Sequence, residues 1–184
     1  MKTNENIVMY VLRLAGTLLA ITAIVALCLA GVNSVTKPVI EQLNAQKTQD
    51  AIQAVLPGGG QEIEGWTDET GLVTVVYEGE AGYAVQVTPG GFDNTITMMV
   101  GVDFDGNVLG ISVISHTEAA GLGAVAAATT SAGEAFRGQF VGQSGSVSVT
   151  KDGGQIEAIT GATITSRAVC VGVQAALDCI GNMG

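Results

Sequence analysis

The sequence predicts an α+β protein: an N-terminal transmembrane helix and a stalk helix, then a domain with an antiparallel sheet and a C-terminal helix. Three observations carry this. Residues 14–32 hold no charge in 19 positions, residues 72–114 fall into short β-branched runs separated by turns, and residues 164–180 place apolar side chains at helical spacing. Strands followed by a helix, without βα alternation, read as α+β. With 184 residues, 47% of them hydrophobic, there is room for one span and one domain of ordinary size.

The run Leu14–Val32 has the length of a spanning helix, about 20 residues. Ile7–Leu12 extends it backward, so residues 7–32 form the expected membrane segment, with Arg13 near enough to the interface to snorkel. Cys28-Leu29-Ala30 resembles a signal-peptide cleavage site, but the apolar run is long for a removable leader, which favours an uncleaved anchor. Lys2 and Arg13 precede the span and Lys37 follows it, a bias toward an inside N-terminus and a domain outside the cytoplasm.

Pro38 to Leu56 reads as a second helix, with Val39, Ile40 and Leu43, then Ala51, Ile52, Val55 and Leu56 as its apolar positions. Pro57-Gly58-Gly59-Gly60 ends it. The expected organisation is therefore a membrane anchor over 1–35, a stalk helix and linker over 36–60, and a domain over 61–184.

Strands are expected at Leu72–Glu78 and Tyr83–Thr88 around a hairpin turn, and at Thr95–Phe104 and Val108–Ile114 around Asp105-Gly106-Asn107. Val147–Val149 and Gln155–Glu157 suggest two later short strands. The last helix puts Val169, Val173, Ala176 and Ile180 on one face and Arg167, Gln174 and Asp178 on the other, with Gly181 in the place of a C′ glycine.

Charge excludes some functions. Residues 1–37 carry +2 and the remainder carries −12, so the domain should avoid nucleic acid and anionic lipid. Aromatics at 4% offer no base-stacking platform. Cys170 and Cys179 stand nine positions apart on one helix, about 13 Å along its axis, beyond disulfide reach. His116 is the only histidine, and no Cys-x-x-Cys pair occurs, so no metal centre is expected. Asp103, Asp105 and Asn107 imitate calcium-loop spacing, but Ile114 stands where the closing glutamate belongs, which makes a hairpin turn the better reading. No Gly-x-Ser-x-Gly elbow occurs, and no residue is assigned a catalytic role.

Two segments carry the functional signal. Thr160-Gly161-Ala162-Thr163 places a glycine and two hydroxyls at a helix start. On spacing alone this is either a threonine-capped helix or an anion site built from close backbone approach and first-turn N–H groups. The second segment runs from Ser115 to Gly123, with His116 and Glu118 beside glycines two apart at Gly121 and Gly123. By itself it is a connecting loop or a ligand loop.

Together the two segments resemble the FMN-binding domains, whose signature is Asp-x-x-(Ser/Thr)-Gly-Ala-Thr and whose loop reads His-x-Glu-Thr-Pro-Gly-Leu-Gly. This chain has Glu157 for the Asp and Ala119-Ala120 for Thr-Pro, and keeps His116, Glu118, Gly121, Leu122 and Gly123. Gly82-Tyr83-Ala84, Gly91-Phe92 and Thr95-Ile96 extend the likeness over about residues 72–170. The short length and single anchor resemble the G subunit of the Rnf complex more than the longer flavin-bearing C subunit of the sodium-pumping NADH:quinone reductase.

The resemblance implies FMN esterified by a transferase to Thr163. It also implies a turn shaped by Thr160, Gly161 and Ala162, transferase recognition at Glu157, and flavin contacts at His116, Glu118, Gly121, Leu122 and Gly123. It further implies an electron-carrying subunit, without a complete active site of its own, among the membrane subunits of an ion-translocating ferredoxin:NAD oxidoreductase. Two other functions fit the same residues: an independent extracytoplasmic flavin carrier, and a non-redox membrane-anchored assembly module.

Overall fold

The computed structural model describes residues 2–183, and side chains from residue 9 onward. Helix α1 runs from Lys2 to Val55. Five strands follow: β1 (Gln61–Ile63), β2 (Val73–Gly79), β3 (Gly82–Val87), β4 (Thr97–Val102) and β5 (Val108–Ser115). Helix α2 (Ser131–Gly138) and helix α3 (Thr163–Gly181) complete the α+β fold. The chain divides into two compact units, Met1–Ala45 and Gln46–Gly184.

In the first unit the apolar side chains from Met9 to Leu43 are exposed. From Met9 onward α1 is long and apolar enough to cross a membrane. Pro38 lies inside the helix and does not begin a new one. A fresh start would need its own nucleus, whereas running through a proline forfeits one backbone bond at about 3 kcal/mol. No break in secondary structure therefore marks residue 35 or 36.

The second unit is built on an antiparallel meander in chain order, β1 to β5. Its register pairs Val76 with Val85 and Val85 with Val100. Alternation then sorts the side chains. Val76, Val85, Val87, Met98, Val100 and Val102 join Val169, Val173, Ala176 and Ile180 of α3 in the larger core. Ala84 and Met99 point the other way, against Ala51, Ile52, Val55 and Leu56 at the end of α1. Each buried valine, leucine, isoleucine or methionine among them stabilises the fold by about 1.5–3 kcal/mol. Helix α3 also has the length and apolarity of a span, but it is two-thirds buried and serves as the core helix.

Three local expectations change. Strand β1 was not foreseen: its pattern is exposed–exposed–intermediate, and it exists by pairing Gln61 with Glu78 and Ile63 with Val76. Residues 147–149 and 155–157 form no strands, only a single parallel bridge between Val149 and Ile156. A 3-10 turn at Thr150–Asp152 and the left-handed Gly153, φ 87°, bend the chain back before a ladder can extend. Gly181 is the last residue of α3 instead of its C′ glycine, because Asn182 caps in the right-handed region at φ −82°. The Asp103–Asn107 segment is a hairpin turn in which the Asp103 carboxylate accepts from the N–H of Asp105 at 3.0 Å and of Asn107 at 2.7 Å.

Candidate functional site

Helix α3 begins without a side-chain cap. Its N-cap position is Ala162, which has no capping oxygen, so neither Thr160 nor Thr163 is a capping threonine. The turn is held from within: Ser166 Oγ accepts from the N–H of Ile159 at 3.0 Å and donates to the carbonyl of Ala162 at 2.9 Å. Gly161 sits at φ 78°, a conformation that L side chains adopt only with strain, and a Cβ there would stand 3.0 Å from Leu122. First-turn N–H groups without a side-chain acceptor, at the positive end of the helix dipole, suit an anion.

A cleft of about 340 Å³ opens beside this turn, of the size that small ligands occupy. One wall is Gly161 to Thr165 with Lys151, and the other is Phe92, Glu118, Ala119, Leu122 and Gly123. Phe92, Leu122 and Ile164 keep 67%, 47% and 49% of their surface exposed, leaving an apolar lining uncovered.

The four hydroxyls of the motif have different fates. Ser166 is fully buried and committed to backbone, as above. Thr165, 2% exposed, donates to Glu118 Oε2. Thr160 is exposed but faces a separate open groove shared with Gly121, Glu157 and Phe136. Thr163 lines the cleft and donates its hydroxyl to none of these groups; its Oγ1 accepts from Lys151 Nζ at 3.3 Å.

Glu118 is the clamp of the opposite wall. The side chain is 7% exposed, and Oε1 accepts from the N–H of Phe92 at 2.7 Å and of Asp93 at 3.3 Å, while Oε2 takes the Thr165 hydroxyl. Gly91 and Gly123 let the carboxylate in, since a Cβ at either would overlap it. One buried acid thereby ties the 91–93 loop to the start of α3.

The cation of the site is Lys151, which sequence reasoning missed. Arg167, four residues after Thr163 on the same helix, is committed elsewhere: Nε and Nη2 each bond the Asp152 carboxylate at 2.6 Å. Hydrogen bonds from Arg167 hold that carboxyl below its ordinary value. No sequence signal ties Lys151 to Thr163 twelve residues later, because the fork between Asp152 and Arg167 is a tertiary contact.

Of the other expected residues, Gly161, Ala162, Glu118, Leu122 and Gly123 meet at the cleft. Thr160, Gly121 and Glu157 line the neighbouring groove instead. His116 lines neither, and its Nδ1 is buried without a hydrogen-bond partner.

Comparison with known proteins matches residues 91–178 to the FMN-binding domain. Over its whole length the chain is 32% identical to the G subunit of the Na(+)-translocating ferredoxin:NAD(+) oxidoreductase complex of Acetobacterium woodii, covering 99% of that protein. It is 31% identical, over 88% of its length and 90% of the relative, to the G subunit of the ion-translocating oxidoreductase complex of Methanosarcina acetivorans. It is also 32% identical, over 87% of its length and 86% of the relative, to the G subunit of the proton-translocating ferredoxin:NAD(+) oxidoreductase complex of Clostridium ljungdahlii.

Proposed function

The chain belongs to the FMN-binding domain family, in the branch formed by the G subunits of ion-translocating oxidoreductase complexes, and on that premise we propose that it is a membrane-anchored electron-transfer subunit of such a complex. FMN, when bound, supplies the redox chemistry, and the protein binds and orients it. In this reading a transferase forms the Thr163 Oγ1–P bond with an activated FMN anhydride, whose P–O–P bond breaks to release the other phosphate as the leaving group, while the hydroxyl gives up its proton. The observation that carries the assignment is the hydroxyl inventory: among Thr160, Thr163, Thr165 and Ser166, Thr163 is the one that lines the cleft while its hydroxyl only accepts, from Lys151, instead of being donated to another protein group.

The residues fit the group. First-turn N–H groups and Lys151 suit a phosphate, and the uncovered surfaces of Phe92, Leu122 and Ile164 suit the flat apolar flavin ring. Ala162 and Gly161 shape the turn, Gly123 admits the Glu118 clamp, and Glu118 orients the walls without spending its carboxylate on flavin. Glu157 and Thr160 act instead on the transferase. Gln139 pins the Glu157 backbone, accepting from its N–H at 2.7 Å and donating to its carbonyl at 3.3 Å, which leaves the Glu157 side chain exposed.

Residues 61–184 form the flavin domain on the extracytoplasmic side, and a single pass over residues 7–32 leaves the N-terminus inside. The other members of the complex are its partners. Relatives named for sodium and for protons stand at the same 32% identity, so this likeness does not select the ion.

The test is the full chain coproduced with the transferase. A denatured gel band fluoresces as flavin, and intact mass exceeds the bare chain by one FMN less water. Thr163→Ala removes both signals and Thr163→Ser retains them. Flavin persisting on Thr163→Ala, or a colourless and unmodified wild-type chain, refutes the assignment.

A further inference from the structure

We infer that Lys151 is the anion-holding residue of this site: its ammonium, already donating to the Thr163 hydroxyl, pairs with the phosphodiester formed on that oxygen and speeds loading. The inference rests on Thr163 being the attachment residue, and its experiment separates the two.

Charge bookkeeping makes Lys151 singular. Residues 46–184 carry fifteen carboxylates and four cations: Lys47, Arg137, Lys151 and Arg167. Arg137 spends Nη1 on the carbonyls of Ala126 at 2.7 Å and Ala128 at 2.9 Å. Arg167 is held by Asp152, and Lys47 does not line the cleft. Lys151 alone among the four lines it. The cleft's other ionisable group is Glu118, whose negative charge opposes a second anion.

Position follows from the fold. The 3-10 turn Thr150–Asp152 is closed by Asp152 N–H to the Val149 carbonyl at 2.9 Å and Gly153 N–H to the Thr150 carbonyl at 3.1 Å. Asp152 then forks onto Arg167, one helical turn after Thr163 on the same helix. The turn is thus pinned to the helix that carries the attachment oxygen, and Lys151 lies 3.3 Å from it. The anionic phosphate oxygens begin two bonds beyond Oγ1, within the sweep of the same ammonium. A lysine suits this role as a mobile point charge that follows a phosphate.

The experiment compares wild type with Lys151→Met, Lys151→Arg and Lys151→Glu, all as the full chain with its transferase. The FMN-bearing fraction is followed by intact mass over time. Lys151→Met loads about fivefold more slowly at low salt, as expected for a lost exposed charge pair, and Lys151→Glu more slowly still. Lys151→Arg restores the rate. At about 1 M salt, where screening shortens to about 3 Å, the variants converge. Because Lys151 is exposed, melting temperatures stay together. On loaded protein, the phosphorus NMR resonance of the ester moves with salt in wild type and stays fixed in Lys151→Met.

Equal loading of Lys151→Met and wild type at low salt overturns the inference, as does an Arg variant as slow as the Met variant. Slower loading with an unchanged phosphorus resonance assigns Lys151 to transferase docking and overturns its role at the phosphodiester. Unmodified wild-type protein sinks the Thr163 assignment and this inference with it.

Discussion

Truncating the buried acid tests whether the walls of the cleft are held by hydrogen bonds or by packing alone. In Glu118→Ala, three donors lose their acceptor: the N–H groups of Phe92 and Asp93 and the hydroxyl of Thr165. Thr165 is 2% exposed, so its orphaned hydroxyl costs about 1–3 kcal/mol. The two N–H groups belong to a loop that reaches solvent, and their rehydration limits the added cost to about 1 kcal/mol. The sum is about 3 kcal/mol, which lowers the melting temperature of a domain this size by about 10 °C. Glu118→Gln keeps the shape, bonds the two N–H groups through its oxygen, and turns its amide toward Thr165 Oγ1, which accepts in place of donating. It loses only charge assistance, about 1 kcal/mol, or about 3 °C. The assay is thermal unfolding of the full chain in detergent, read by Trp66, the sole tryptophan, which packs against the domain core. A Glu118→Ala melt within about 2 °C of wild type refutes the clamp.

Three more outcomes follow, from Gly161 and from the two buried thiols. Gly161→Ala strains φ 78° against Leu122 and costs about 1–2 kcal/mol, seen as a melt about 5 °C lower together with reduced FMN occupancy by intact mass. Burial, reinforced by the Asp152 charge, pushes the Cys170 thiol up to about 11, and burial also raises Cys179. Both thiols stay protonated at pH 8 and escape iodoacetamide until denaturant is added. Because the folded-state value is raised, Cys170 leaves stability intact below pH 9, and stability falls as pH climbs from 9 through 11, which melts taken across that range check.

What the sequence disclosed and what it withheld divide along a physical line. Periodicity is a local property, so β2 to β5 and the buried face of α3 were legible from alternation and from the four–three–four spacing of Val169, Val173, Ala176 and Ile180. Strand β1 has no apolar alternation and is made by its partner β2, so nothing within Gln61–Ile63 announces it. Helix α2 does carry a local signal: Thr130 as N-cap, accepting from the Gly133 N–H, and Phe136 and Phe140 four apart. At the site, the motif identified the turn but not its electrostatics. Lys151 reaches Thr163 through a long-range ion pair. Glu118, four dozen residues from Thr165, turns out to hold protein groups in place. His116, expected beside the flavin, is not among the residues that line the cleft, because adjacency in sequence does not fix where a loop side chain lands.

The magnitudes also bear on why the proposed ester would be the better means of retention. The helix N-terminus contributes about 0.3–1 kcal/mol to an exposed phosphate. An exposed lysine pair adds about 0.2–1 kcal/mol. Holding a cofactor at micromolar concentration needs about 8 kcal/mol, and so most of that would have to come from the ring against Phe92, Leu122 and Ile164. Those three side chains line an open cleft in a unit, residues 46–184, whose fifteen carboxylates repel a phosphate. Deepening the cleft would require a larger apolar lining, yet one wall hangs from a single acid, Glu118, and the other is the first turn of the core helix. A bond at Thr163 removes dissociation from the problem and leaves the weak contacts only the task of orientation. In the proposed arrangement, Lys151 and the apolar lining would tune how the flavin sits and how fast it is installed, while its permanence would depend on the Thr163 hydroxyl.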